Sequence, residues 1–383
     1  MIERKISKKV LEYANKFPVV TITGPRQSGK TTLCKMLFKN KKYVNLENID
    51  ERQFAIEDPK GFLARFEDGA VIDEVQYVPH LFSYIQTIVD SKNKEGMFIL
   101  TGSQQFEMME NITQSLAGRT AIAKLLPFSL NEAYKNLEKV SLSKVLFTGF
   151  FPRIFDKNIN PTDMASFYIS TYIERDVRKL INIKDLTKFQ TFIKLLAGRT
   201  AQLLNLTSLA DECDVSHNTI KSWISVLEAS YVIKIQRPFY KNLNKRLVKT
   251  PKIYFLDTGL ACYLLGIRNI EQLEIHPLKG EIFETFVVAE LLKNRFNNGE
   301  EDNLYFYREH NGKEIDIIVD NGINIDLIEV KLSQTISEKF FKNLKKFPEK
   351  NFASVNKKII YAGEESFNYK NFEIYSWKDI GLL

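Results

Sequence analysis

The chain is poor in cysteine and has no long apolar run. Cys34, Cys213 and Cys262 are its three cysteines in 383 residues, odd in number and far apart. That argues against a disulfide framework, and no Cys-x-x-Cys or Cys/His spacing offers a zinc site. A reducing cytoplasm is the expected compartment. No stretch approaches the roughly 20 apolar residues needed to span a bilayer. The basic segment 1–10 is not followed by the apolar core of a signal peptide, so a soluble chain without a membrane partner is expected. Low-complexity tracts and internal repeats are also lacking. What is present suits a globular protein: 44% hydrophobic and 26% charged residues, over a length that calls for two or three domains. The net charge of +7 permits a polyanionic partner such as DNA.

Apolar and β-branched runs alternate with helical patterns through the first third. Strands are expected at 18–23, 43–46, 69–73, 97–101 and 120–126, with helices at 3–16, 31–38 and 81–89. Short strands alternating with helices predict a parallel sheet covered on both faces. After Pro127 the pattern turns helical, over 129–147, 162–183 and three pieces of 186–235. From Lys279 a helix at 280–293 leads into strands at 304–308, 314–319 and 325–331.

Between the first strand and its helix stands Gly24-Pro25-Arg26-Gln27-Ser28-Gly29-Lys30-Thr31-Thr32. Gly24 and Gly29 let the backbone turn so that its N–H groups converge on phosphate oxygens. The helix that follows points its positive end at the same anion. Lys30 is placed to reach the β and γ phosphates, and the Thr31 hydroxyl to bind Mg2+, so ATP is the expected ligand. The strand ending Ala70-Val71-Ile72-Asp73-Glu74 supplies two carboxylates. Asp73 is expected to hold Mg2+ and Glu74 to polarise the attacking water. In Leu100-Thr101-Gly102-Ser103, Ser103 is the first choice for a γ-phosphate sensor and Thr101 the second. Arg119 reads either as a finger reaching a neighbouring subunit of a homo-oligomer or as a surface salt bridge.

These phrases, together with Ser-Leu-Ala-Gly-Arg (115–119) and Leu-Pro-Phe-Ser (126–129), resemble the AAA-type P-loop ATPases. Within that group the chain is similar to a bacterial and archaeal family with a C-terminal domain of unknown function. Tyr-Ile-Glu-Arg-Asp-Val (172–177), the run 245–260 and Gly-x-x-Phe-Glu (280–284) are similar to that domain. The resemblance implies strand order 5-1-4-3-2 and a helical lid over 130–183.

Residues 205–237 have the layout of a helix-turn-helix, with Ser216 as N-cap and His217, Asn218, Lys221 and Ser222 on the outer face of the second helix. Lys241, Lys245, Arg246, Lys249 and Lys252 follow in a hairpin without an acid. That basic wing suits phosphate contacts on a duplex; the alternative is a helical adaptor with a solvated hairpin. Further on, Glu284 lies on a helix, Asp316 on a strand, and Glu329 and Lys331 two apart on the next strand, hence on one face. Asp320-Asn321-Gly322 marks the hairpin between the strands. Carboxylates that hold one or two Mg2+ ions, with a lysine at the transition state, are what a metal-dependent phosphodiesterase requires. The arrangement resembles restriction-endonuclease-like nucleases, with Asp316 and Glu329 as the metal ligands.

The expected class is therefore α/β: an AAA-type ATPase domain with helical lid (1–160), lid helices and a winged-helix-like domain (161–275), and a restriction-endonuclease-like α/β domain (276–383). Two functions remain open. One is an ATP-driven machine on DNA; the other is a regulatory ATPase switch working through protein contacts, with an inert nuclease-like module.

Overall fold

The computed structural model describes residues 2–102, 115–177, 185–239, 249–350 and 352–383, with backbone alone at 174–177. Contacts divide the chain into two compact units. The first comprises Met1–Phe128 with Ala229–Tyr231 and Arg295–Glu300; the second comprises Ser129–Glu228, Val232–Asn294 and Glu301–Leu383.

The first unit is built on β1 (Val19–Thr23), β2 (Lys42–Asn45), β3 (Ala70–Asp73), β4 (Phe98–Gly102) and β5 (Thr120–Lys124). All pair in parallel, in the order β2-β3-β4-β1-β5, which is the order expected. The period of two in Val-Val-Thr-Ile-Thr sends its side chains to both faces. Val20 and Ile22 pack with Ile6, just before α1 (Ser7–Ala14), with Val10 on it, and with Leu33 and Cys34 of α2 (Lys30–Leu37). Val19 belongs to the opposite layer, with Phe62, Leu81, Phe82 and Ile85. Each such aliphatic side chain contributes about 1.5–3 kcal/mol by its burial.

Two helices unforeseen from the sequence fill the β2–β3 connection: α3 (Ile49–Glu57) and α4 (Pro59–Ala64). Their starts are nonetheless written locally. Asn48 accepts from Asp50 N and Glu51 N, and Asp58 accepts from Gly61 N ahead of Pro59 at the first helical position. The next helix, α5 (Leu81–Lys92), covers the same face.

In the second unit, short helices over 130–168 run into a π-helical stretch, Ile169–Val177. Helices Leu206–Cys213 and His217–Ala229 form a pair joined by a short turn. Asp214 makes the turn at φ 49°, and Ser216 Oγ accepts from Thr219 N at 3.1 Å. Its core sets Trp223 edge-on to Phe189. Strands β6 (Gln202–Leu203), β7 (Ile233–Gln236) and β8 (Lys252–Phe255) form an antiparallel sheet in the order β6-β8-β7.

The remaining strands are β9 (Leu304–Arg308), β10 (Glu314–Asn321), β11 (Asn324–Lys331), β12 (Ser354–Tyr361), β13 (Phe367–Tyr369) and β14 (Phe372–Ser376). They lie in the order β13-β14-β12-β11-β10-β9. The β10–β11 hairpin turns at Gly322, φ 86°, whose N–H donates to Asp320 Oδ1. Strand β12 then pairs in parallel with β11.

Two acids of this unit tie distant backbone together. Asp257 accepts from Phe150 N at 2.7 Å and from Leu260 N at 2.9 Å. Glu290, on the helix Lys279–Asn297, accepts from Leu130 N at 2.7 Å and pairs with buried Lys293. Lys293 in turn sits 3.7 Å from the Phe150 ring centroid. Replacing Asp257 by Ala strips two buried N–H groups of their acceptor. It should lower stability by about 2–4 kcal/mol in denaturant melts; a loss below about 0.5 kcal/mol would show that these bonds carry no weight.

Candidate functional site

The parallel sheet brings the ends of β1, β3 and β4 to one edge. Ile72 pairs with Leu100, so Asp73 and Thr101 adjoin at the next step. The loop leaving β1 turns at Gly24, φ 149°, where a Cβ would lie 2.1 Å from Leu125 O, so no other residue fits. Gly29, φ 94°, caps α2 without a side-chain bond and leaves the first N–H groups of the helix for an anion.

Lys30 is 6% exposed, and its Nζ donates to Gly24 O and Pro25 O, both at 2.9 Å. Burial lowers its pKa, opposed by the charges of Glu74 and Asp73. The Asp73 carboxylate is the hub. Its Oδ2 accepts from Thr31 Oγ1 at 2.6 Å and from Tyr43 OH at 2.7 Å, and Oδ1 accepts from Thr101 Oγ1. Thr101, the second choice for a sensor, therefore contacts the acid; Ser103 lies outside the described residues. Glu74 stands in the left-handed region, φ 56°, and its carboxylate accepts from Gln76 Nε2.

Ser28 is buried beneath the loop, whereas Thr32 on α2 is exposed. Arg26 is partly covered and its charge reaches Lys30. Arg4, which the sequence pattern did not single out, is 5% exposed and donates to Ser28 O at 2.8 Å and to Leu126 O at 2.7 Å. It clamps the loop to the segment leaving β5. Arg119 sits at the opposite edge of the sheet, just before β5. There it makes a two-pronged ion pair with Asp90, at 2.5 and 2.9 Å. Within one chain the surface salt bridge is thus the arrangement seen.

A second cluster lies in the other unit. Glu284, Asp316, Glu329 and Lys331 do come together. Lys331 Nζ donates to Glu329 Oε2 at 2.6 Å and to Asp316 Oδ2 at 3.3 Å, and Val330 N donates to the same Asp316 oxygen. Asp316 sits at a break in the β9–β10 register, between Ile315 and Ile318, which re-aims its side chain. Burial and the neighbouring Asp316 raise the Glu329 pKa.

One expectation is corrected here. Lys252 is not a solvated wing residue: it is 3% exposed, and its Nζ lies 3.0 Å from Glu284 Oε1 and 2.5 Å from Glu314 Oε1. It begins β8, a strand buried on both faces, and shares a face with Tyr254, whose OH donates to Glu284 at 2.6 Å. Of the other wing residues Lys249 is exposed, while Lys241, Lys245 and Arg246 lie outside the described residues. His217, Asn218, Lys221 and Ser222 are exposed as expected.

Among the described residues no three of His, Cys, Asp and Glu are gathered as ligands of one metal ion. No helix there is long and apolar enough to cross a membrane. A model described as an AAA domain matches residues 16–134. Domains of unknown function (DUF8612 and DUF4143) match 139–271 and 279–380. Uncharacterized proteins of Mycobacterium tuberculosis and Mycobacterium bovis are each 30% identical over 344 residues, 88% of this chain and 76% of theirs. A Walker-type ATPase of Pyrococcus abyssi superposes with TM-score 0.44 at 16% identity, over 69% of this chain and 96% of its own.

The buried Glu284 makes a pH prediction. Its carboxyl is pushed up to about 7, chiefly by burial, with the Lys252 ammonium opposing and Asp316 adding. The folded chain thus holds this proton more tightly than the unfolded chain. The associated stability is full below the ordinary glutamate range and is lost as pH rises through about 7. Glu284→Gln should flatten the fall in stability between those limits by on the order of 3 kcal/mol. An unchanged pH profile in denaturant titrations would contradict the burial of this acid.

Proposed function

Because the chain belongs to the AAA-type P-loop ATPases, we propose that it hydrolyses ATP with Mg2+ at the loop 24–32 and couples that cycle to DNA. The gathering of Lys30, Thr31, Thr101 and Glu74 about Asp73 carries the hydrolytic half of this reading. The loop amides and the start of α2 bind phosphate oxygens, and the Lys30 ammonium neutralises the β and γ phosphates. Thr31 and Asp73 would hold Mg2+, which would supply Lewis-acid charge at the transferring phosphoryl group. Glu74 accepts a proton from the attacking water, and Gln76 keeps its carboxylate in place. Tyr43 and Thr101 orient Asp73 from β2 and β4. Ser103 is retained as the γ-phosphate sensor. Arg119 serves as a finger to a second copy once its pair with Asp90 opens, in a homo-oligomer.

The DNA half rests on the helix-turn-helix and its exposed face at His217, Asn218, Lys221 and Ser222. The three-stranded sheet beside it supports a winged-helix domain within 161–275. In 276–383, the antiparallel pair β10–β11 followed by parallel β12 supports a restriction-endonuclease-like domain. There Asp316 and Glu329 would hold Mg2+. The fit rests on Glu329 Oε1, buried and without a hydrogen-bond partner among the described residues.

Four measurements test this. Lys30→Ala should weaken binding of a fluorescent ATP analogue by about 100-fold. Glu74→Gln should bind normally and lose about 10²–10⁴-fold in turnover; normal turnover there would remove Glu74 as the base. The logarithm of the affinity for a DNA duplex should fall linearly with the logarithm of salt concentration, and Asp316→Ala should abolish Mn2+-dependent cleavage of plasmid or branched DNA. No duplex affinity at low salt would instead favour the regulatory switch acting through protein contacts.

A further inference from the structure

The sequence leaves one or two metal ions open at the C-terminal cluster, and the side chains around it bear on that number. Four carboxylates lie there in two pairs, Glu284 and Glu314 about Lys252, and Asp316 and Glu329 about Lys331. Two are committed to side-chain donors. Glu284 Oε1 takes both Lys252 Nζ at 3.0 Å and Tyr254 OH at 2.6 Å. Glu314 takes Lys252 at 2.5 Å on one oxygen and Arg308 at 2.8 Å on the other. At the other end Lys331 joins Glu329 Oε2 to Asp316 Oδ2. Glu329 is 2% exposed, and its Oε1 has no hydrogen-bond partner among the described residues. Each pair of carboxylates is thus bridged by an ammonium, but Lys252 is sealed in at 3% exposure, whereas Lys331 is 32% exposed and leaves Glu329 Oε1 as an unmatched acceptor.

We infer that the Lys252 ammonium stands where a second cation would be bound, so that the site takes a single divalent ion, between Asp316 and Glu329, with a phosphodiester as its substrate class. This rests on the nuclease-like reading above. Two carboxylates suffice for a Mg2+-type ion, which keeps its remaining positions for water and phosphate oxygens. A two-metal site needs carboxylates that can serve both ions about 3.5–4 Å apart, and Lys252 already satisfies the pair that would serve the second. A fixed buried ammonium also supplies positive charge to a pentavalent phosphorus without an ion having to bind. The residue comes from β8, whereas the acids come from the helix Lys279–Asn297 and from β10 and β11. The site is therefore assembled across both domains of unknown function, 139–271 and 279–380.

The test counts Mn2+ ions by electron paramagnetic resonance on the full chain without nucleotide. Asp73→Asn is present throughout, so that the phosphate-loop site adds none. The expected result is one ion per chain, lost or weakened at least about tenfold by Glu329→Gln. Adding Lys252→Met should raise the count to two, and Lys252→Arg should leave it at one. Two ions with Lys252 intact, or one ion with folded Lys252→Met, overturns the inference while leaving the nuclease-like reading standing. No ion in any variant overturns both. Should Lys252→Met fail to fold by circular dichroism, the count with Lys252 intact decides, together with Lys252→Arg.

Discussion

The Asp73 carboxylate receives three hydroxyl donors, from α2, β2 and β4, at the edge of a five-stranded parallel sheet. A buried carboxylate is costly to keep charged unless its oxygens are satisfied. Each donor here arrives from a different element, so the acid stays in place only while β2, β3 and β4 keep their register. The same register sets Glu74 beside Thr101, through a bond from Glu74 N to the Thr101 hydroxyl. Lys30 is buried next to this charge, and burial alone would favour its neutral form. Asp73 and Glu74 oppose that, and the two loop carbonyls accept hydrogen bonds from its ammonium. The phosphate loop, the acid and the sheet edge therefore form one electrostatic unit.

Much of this unit is legible in the sequence because its determinants are local. Gly24 and Gly29 are needed for backbone angles that neighbouring residues alone specify, and the β-branched run before them can only be a strand. Asp73 and Glu74 follow from strand length and from the parallel arrangement. Tyr43 and Arg4 were not legible, since each acts on a partner brought close by the whole fold. Arg4 meets carbonyls 24 and 122 residues away, and no period or spacing marks such a pair. Helices α3 and α4 were missed for another reason: their amphipathic pattern is short and weak, although Asn48 and Asp58-Pro59 announce their starts.

Lys252 shows where local composition misleads. Surrounded in the chain by Lys241, Lys245, Arg246 and Lys249, it reads as one more solvated charge. It opens a strand that is buried on both faces instead, and the carboxylates of Glu284 and Glu314 offset its desolvation. The phrases at 245–260 and 280–284 acquire a physical meaning from this contact: Lys252, Tyr254 and Glu284 are three parts of one buried polar network. Asp257 in the same phrase has a different task, holding the backbone of Phe150 and Leu260. Removing one member of a buried charged network leaves the others unpaired, so such groups tend to act as a unit.

The strand order has a consequence for how the first unit comes into being. β1 is made first, yet its two neighbours in the sheet are β4 and β5, which begin at Phe98 and Thr120. At about 5–20 residues per second, a ribosome needs roughly 5–20 s after β1 to deliver both partners. Throughout that interval Val19, Val20 and Ile22 belong to a strand with two open edges. Pairing at such sequence separation closes large loops, which slows folding and lengthens the exposure. The segment that carries the phosphate loop is thus synthesised well before its sheet partners and enclosed only after they arrive.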